Sequence, residues 1–73
     1  MNITSVRIKT LRVENNLTQK QLAEILSIQP NSVQRLEYGT ARASLDTLTA
    51  LADYFNVSID YLVGRTDNPE VNR

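Results

Sequence analysis

The 73-residue chain contains no cysteine and no histidine. Without cysteine there is no disulfide and no thiolate metal site, and the redox compartment is left open. Without histidine the commonest general base and the commonest zinc ligand are gone. There is no Gly-rich phosphate loop and no clustered carboxylate pair. Asp46, Asp53 and Asp60 recur every seven residues, a spacing that reads as a solvated stripe or helix-start charges. An enzyme is therefore not expected, nor is a metal or cofactor. No apolar run approaches the roughly 20 residues needed to span a bilayer, and the opening "MNITSVRIKT" lacks the apolar core of a signal peptide. The expected location is the cytoplasm, without a membrane partner. Strand alternation, internal repeats and low-complexity segments are also missing.

What remains is one small domain. A chain this short buries only about 60% of its unfolded surface, so its elements must be short and local. The zero net charge hides an asymmetry. Residues 1–44 carry six cations against three acids, whereas residues 45–73 carry two against five. Such a split fits a polyanion approached from one side, and it also arises by chance in short chains.

Five short helices are expected. The first runs from Thr4 or Ser5 to Asn15, with Val6, Ile8 and Leu11 as apolar surface and Asn15-Asn16 as a left-handed stop. Thr18 caps the second, and Gln21 three positions later completes a capping box. That helix continues through Leu22, Ala23, Ile25 and Leu26. Ala23 marks a close helix crossing or is simply a good helix former. Ser27 and Ile28 form a tight link. Pro30 suits the first turn of the third helix, and Gly39 suits its left-handed end. Ser44 caps the fourth, with Asp46 in its first turn and Leu45, Leu48, Leu51, Ala52 and Phe55 as an apolar stripe ending at Asn56. Ser58 caps a fifth, "IDYLVG", that stops at Gly64. Residues 1–64 form the domain, and residues 65–73, "RTDNPEVNR", read as a polar tail. The fold class is all-α, a compact five-helix bundle.

The third helix raises the functional question. At 100° per residue only Val33 and Leu36 point inward. Asn31, Gln34, Arg35 and Tyr38 fall on the opposite side, and Gln29 and Pro30 stand at the N-terminal tip. Asn and Gln match adenine N6/N7 and Arg matches guanine O6/N7, in a major groove that admits one helix. The plainer reading is a solvated face, which would more often carry Glu and Lys. Gln19, first in the second helix, sits where free N–H groups and the helix dipole attract anions. It is otherwise a tolerated surface residue.

The ordered segments "RIKTLRVENNLTQKQLAEIL", "NSVQRLEYG" and "SLDTLTALADYFNVSIDYLVG" together resemble the Cro/repressor-type, XRE-like helix-turn-helix family over residues 7–64. The resemblance implies a lambda-repressor-like bundle whose second and third helices form the helix-turn-helix. It also implies a homodimer on double-stranded DNA, with half-sites about 34–36 Å apart. Gln29, Pro30, Asn31, Gln34 and Arg35 would then face bases. Gln19, Tyr38, Thr40 and Arg42 would meet phosphates. Arg12 and Glu37 match an ion pair joining the first and third helices, either aiming the reading helix or simply maintaining the fold. Ile59, Tyr61 and Val63 occupy the region that forms the dimer contact in relatives, or they pack at the core edge. The implied function is a sequence-specific transcriptional regulator, a repressor acting by operator occupancy. The alternative is an antitoxin that also binds a toxin protein.

The sequence departs from the family pattern at four positions. Ser27 stands where glycine is usual, and either a positive φ there costs about 1 kcal/mol or the turn differs slightly from the family's. Pro30 replaces a polar residue and offers a thymine methyl only apolar contact. Leu36 stands where aromatics are common, and Thr40 where lysine is. So few cations facing DNA imply modest non-specific affinity and a shallow salt slope.

Overall fold

A computed structural model describes residues 2–71. Residues 72 and 73 of the expected tail lie outside the described residues, as does Met1. Five α-helices follow in order: α1 Ile3–Glu14, α2 Gln19–Leu26, α3 Pro30–Tyr38, α4 Leu45–Phe55 and α5 Ile59–Leu62. No strand occurs among the described residues, and none of their helices is long and apolar enough to cross a membrane.

Four of the five helices, all but α3, start where a side chain satisfies free backbone donors. Thr18 accepts from the Gln21 N–H at 3.0 Å while the Gln21 side chain accepts from the Thr18 N–H at 2.8 Å, the expected capping box. Ser44 and Ser58 accept from the N–H groups of Thr47 and Tyr61. The first helix starts earlier than expected. Asn2 is its cap, accepting from the Ser5 N–H at 2.8 Å, and Ser5 Oγ accepts from the Asn2 N–H at 3.1 Å. This reciprocal box uses serine where Glu or Gln is usual. It also buries the Ser5 hydroxyl without leaving it unsatisfied.

Left-handed residues end the helices or the turns that follow them. Gly39 (φ 80°) closes α3, with the Thr40 N–H reaching the Arg35 carbonyl at 3.0 Å. Asn56 (φ 55°) closes α4. Asn16 (φ 58°) turns the chain after α1, and Ser27 (φ 58°) makes the α2–α3 turn. Ser27 thus adopts the conformation that disfavours every residue but glycine and, to a lesser degree, Asn and Asp.

Every helix and the α4–α5 link contribute to one core: Ile8, Leu22, Ala23, Leu26, Val33, Leu36, Leu51, Ala52, Val57 and Leu62. Burying each large aliphatic side chain stabilises the fold by about 1.5–3 kcal/mol. Two expected core residues lie outside it. Val6 is 43% exposed, because two positions before Ile8 is a 200° rotation and points away from the bundle. Leu45 is 71% exposed. It is the first residue of α4, about 90° off the Leu48–Leu51–Phe55 stripe, and its side chain leans back past the helix end.

The polar segment after Gly64 is tied down instead of trailing free. The Arg65 N–H donates to the Asp60 carbonyl at 2.8 Å, and the Ser58 N–H to the Pro69 carbonyl at 3.0 Å. Arg7 holds the middle. Its Nη1 donates to the carbonyls of Tyr61 and Thr66, its Nη2 lies 2.7 Å from the Asp67 carboxylate, and its guanidinium stacks 4.1 Å from the centre of the Tyr61 ring. None of these partners is local to Arg7, so no sequence spacing announced them.

Candidate nucleic-acid interface

The turn at Ser27 sets the direction of α3. Its N–H satisfies the Ala23 and Glu24 carbonyls, the Ile28 N–H returns to Ala23 at 3.0 Å, and Gln29 then extends (φ −76°) before Pro30 starts the helix. Ala23 is buried at this junction, as a small residue under a tight crossing should be.

The inner face of α3 is fixed by Val33, Leu36 and Glu37, which are 0%, 6% and 4% exposed. A carboxylate that deep needs a partner, and Arg12 supplies it through two bonds. Nε reaches Oε2 at 2.6 Å and Nη2 reaches Oε1 at 3.1 Å. Arg12 Nη1 also donates to the Leu17 carbonyl at 2.9 Å, and Gln19 Nε2 donates to Glu37 Oε1 at 3.2 Å. One carboxylate on α3 therefore joins α1 and the first residue of α2, and Arg12 extends the network to the α1–α2 turn. The clasp prevents α3 from rolling about its own axis.

The outer face is left free. Gln29, Pro30, Asn31, Gln34 and Arg35 are all exposed, on one turn and a half of helix. Gln29 is the N-cap residue, yet its side chain makes no cap bond. Arg35 takes part in none of the ion pairs among the described residues. Tyr38, one turn beyond Gln34, is 62% exposed. An unspent row of amides and one guanidinium on a helix clamped from behind offers paired donors and acceptors at fixed spacing.

The remaining expected residues fall in three places. Gln19 is half-buried, with one amide hydrogen committed to Glu37 and its other hydrogen and carbonyl available. In the link after α3, Ala41 and Ala43 pack against the core while Thr40, Arg42 and Ser44 face outward. This alternation aims Arg42 at solvent. The Thr40 hydroxyl also donates to the end of α3, reaching the Arg35 carbonyl at 3.4 Å. Ile59, Tyr61 and Val63 are half-buried on α5 and just after it, and Ile59 and Tyr61 pack against the core. Arg7 covers one face of the Tyr61 ring, so less of this residue is free than its sequence position suggests.

A helix-turn-helix family model matches residues 8–62. The uncharacterized HTH-type transcriptional regulator YobD of Bacillus subtilis is 39% identical over 64 residues, covering 88% of this chain and 57% of YobD. The antitoxin PezA of Streptococcus pneumoniae is 40% identical over 57 residues, covering 78% of this chain and 36% of PezA. The chain thus spans about half the length, or less, of these curated relatives. Among solved structures, Bacillus thuringiensis PlcR in complex with the peptide PapR7 and DNA aligns with a TM-score of 0.75 at 32% identity, over 85% of this chain and 22% of PlcR. The P22 c2 repressor with a synthetic operator aligns with a TM-score of 0.79 at 21% identity, over 86% of this chain and 96% of that one, a likeness of fold.

Proposed function

We propose, from the fact that this chain belongs to the helix-turn-helix family of transcriptional regulators, that it binds double-stranded DNA sequence-specifically through α3. The observation that carries the reading is the exposed row Gln29, Pro30, Asn31, Gln34 and Arg35 on a helix held from behind by Arg12, Gln19 and Glu37. Asn31 and Gln34 present adenine-matching amides, Arg35 a guanine-matching fork, and Pro30 an apolar edge for a thymine methyl. Gln19, Tyr38, Thr40 and Arg42 contact phosphates, which set register without reading sequence. PlcR, solved in complex with DNA, supports the DNA-binding reading by its shared fold and 32% identity.

The binding unit is a homodimer joined through the region of Ile59, Tyr61 and Val63, on half-sites about 34–36 Å apart. The DNA-binding domain is residues 1–64, with residues 65–73 as an appended segment. Regulation is repression by occupancy in the cytoplasm, a bound dimer blocking polymerase. The match to the antitoxin PezA favours a second reading, in which the chain also binds a toxin protein. Co-purification of a second, toxin-like chain from native cells would select that reading.

The direct test is substitution on the outer face. Asn31→Ala and Arg35→Ala should each cost about 1–3 kcal/mol on a selected duplex and relax base preference at one position per half-site. Equal losses on all duplexes would make them phosphate contacts. No loss on any duplex would remove α3 as the reading helix.

A further inference from the structure

Pairing reduces the cations available to a polyanion. Among the described residues Arg7, Arg12 and Arg65 are within ion-pair distance of Asp67, Glu37 and Asp60. Lys9, Lys20, Arg35 and Arg42 have no carboxylate partner. Arg35 and Arg42 already have places in the proposed complex, whereas Lys9 on α1 has none.

Lys9 stands one turn before Arg12, so the two side chains share a face of α1. It lines a cleft of about 90 Å³ between α1 and α3, with Arg12, Gln19, Gln34, Glu37 and Tyr38 as the other walls. The Arg12–Glu37 clasp is the inner part and is charge-neutral. The exposed members are Lys9, Gln34 and Tyr38, and Lys9 carries the only uncompensated charge among the lining residues. A volume of this size holds a few waters, at about 30 Å³ each, or the oxygens of one group presented by something larger lying across the rim. A lysine ammonium on a flexible stem, next to an amide and a phenol, suits a phosphate oxygen.

We propose that Lys9 contacts a backbone phosphate of the bound duplex, completing a cradle with Gln19 and Tyr38 on the α1 side of α3. The inference rests on the reading of α3 given above. It adds a non-specific contact from α1 to the one expected from Arg42, and it makes α1 part of the binding surface as well as its support.

The test compares the parent, Lys9→Gln and Arg65→Gln on a selected operator duplex and on a scrambled one, by fluorescence anisotropy from about 50 to 200 mM salt. Arg65→Gln makes the same charge change on a 78% exposed side chain outside the cleft. Lys9→Gln should flatten the log affinity against log salt line by about 0.9 per bound chain. It should weaken both duplexes by the same factor, while Arg65→Gln leaves the slope at the parent's value. Unchanged circular dichroism of both variants certifies their fold. Retained selectivity with an unchanged slope in Lys9→Gln, or equal flattening in Arg65→Gln, overturns the Lys9 contact alone. A parent that prefers no sequence, yet loses slope in Lys9→Gln, supports the contact and sinks the α3 reading.

Discussion

At the scale of single residues, Ser27 carries the clearest stored strain. Its φ of 58° is the left-handed conformation, and its hydroxyl gains no cap bond that would offset the strain, unlike the helix-starting Thr18, Ser44 and Ser58. Asn16 and Asn56 take the same conformation at less cost, because asparagine tolerates it. Ser27→Gly should stabilise the fold by about 0.5–1 kcal/mol once the added freedom of the unfolded glycine is subtracted. At about 4–8 °C per kcal/mol for a domain of this size, thermal unfolding would register that as a rise of several degrees. A lowered midpoint would show that the serine is better accommodated than its φ implies. The resemblance to the helix-turn-helix family pointed to this strain, because Ser27 stands where that family usually has glycine. The burial of Ser5 was not, because its reason is a reciprocal bond to Asn2 that uses serine in place of Glu or Gln.

At the scale of elements, the helix boundaries followed local chemistry wherever a cap or a glycine spoke for itself, as at Thr18, Pro30, Gly39, Ser44, Asn56 and Ser58. Helical geometry also separated the two faces of α3 from sequence alone, since Val33 and Leu36 can only be inward together. Leu45 and Val6 misled because composition announces apolarity but not direction; one sits at a helix end and the other across from Ile8. The clasp between elements is the strongest device here. Arg12 and Glu37 are 14% and 4% exposed, so removing one leaves the other's charge buried without its opposite charge. Arg12→Ala should cost about 3 kcal/mol, near the lower end for a buried pair because Arg12 retains some solvent contact. The double replacement Arg12→Met with Glu37→Leu should recover most of that stability in chemical denaturation while still weakening DNA binding, since nothing then fixes the roll of α3. Full recovery of binding in the double variant would reduce the pair to fold maintenance.

At the scale of the whole molecule, the least legible feature was closure by Arg7. Its partners lie 54 to 60 residues away, and only the assembled bundle brings α1, α5 and residues 65–69 together. Asp67 is fully exposed, so the value of the arrangement lies in the carbonyl bonds and the Tyr61 stacking. Arg7→Ala should release the segment and speed hydrogen exchange at the Ser58 amide, whose acceptor is the Pro69 carbonyl. Asp67→Asn should leave that exchange nearly unchanged. Equal protection in parent and Arg7→Ala would mean that the segment holds without the arginine. Because α5 is also the proposed dimer region, this closure links the end of the described chain to the spacing of two reading helices.

That spacing and the chemistry of α3 meet in one measurement, selection of bound duplexes from a random pool followed by sequencing. The expected result is an enriched motif of two inverted half-sites with centres about 10–10.5 base pairs apart. The enriched bases should shift when the pool is reselected with Asn31→Ala or Arg35→Ala. A pool that stays random after repeated rounds at low salt would contradict sequence reading by α3.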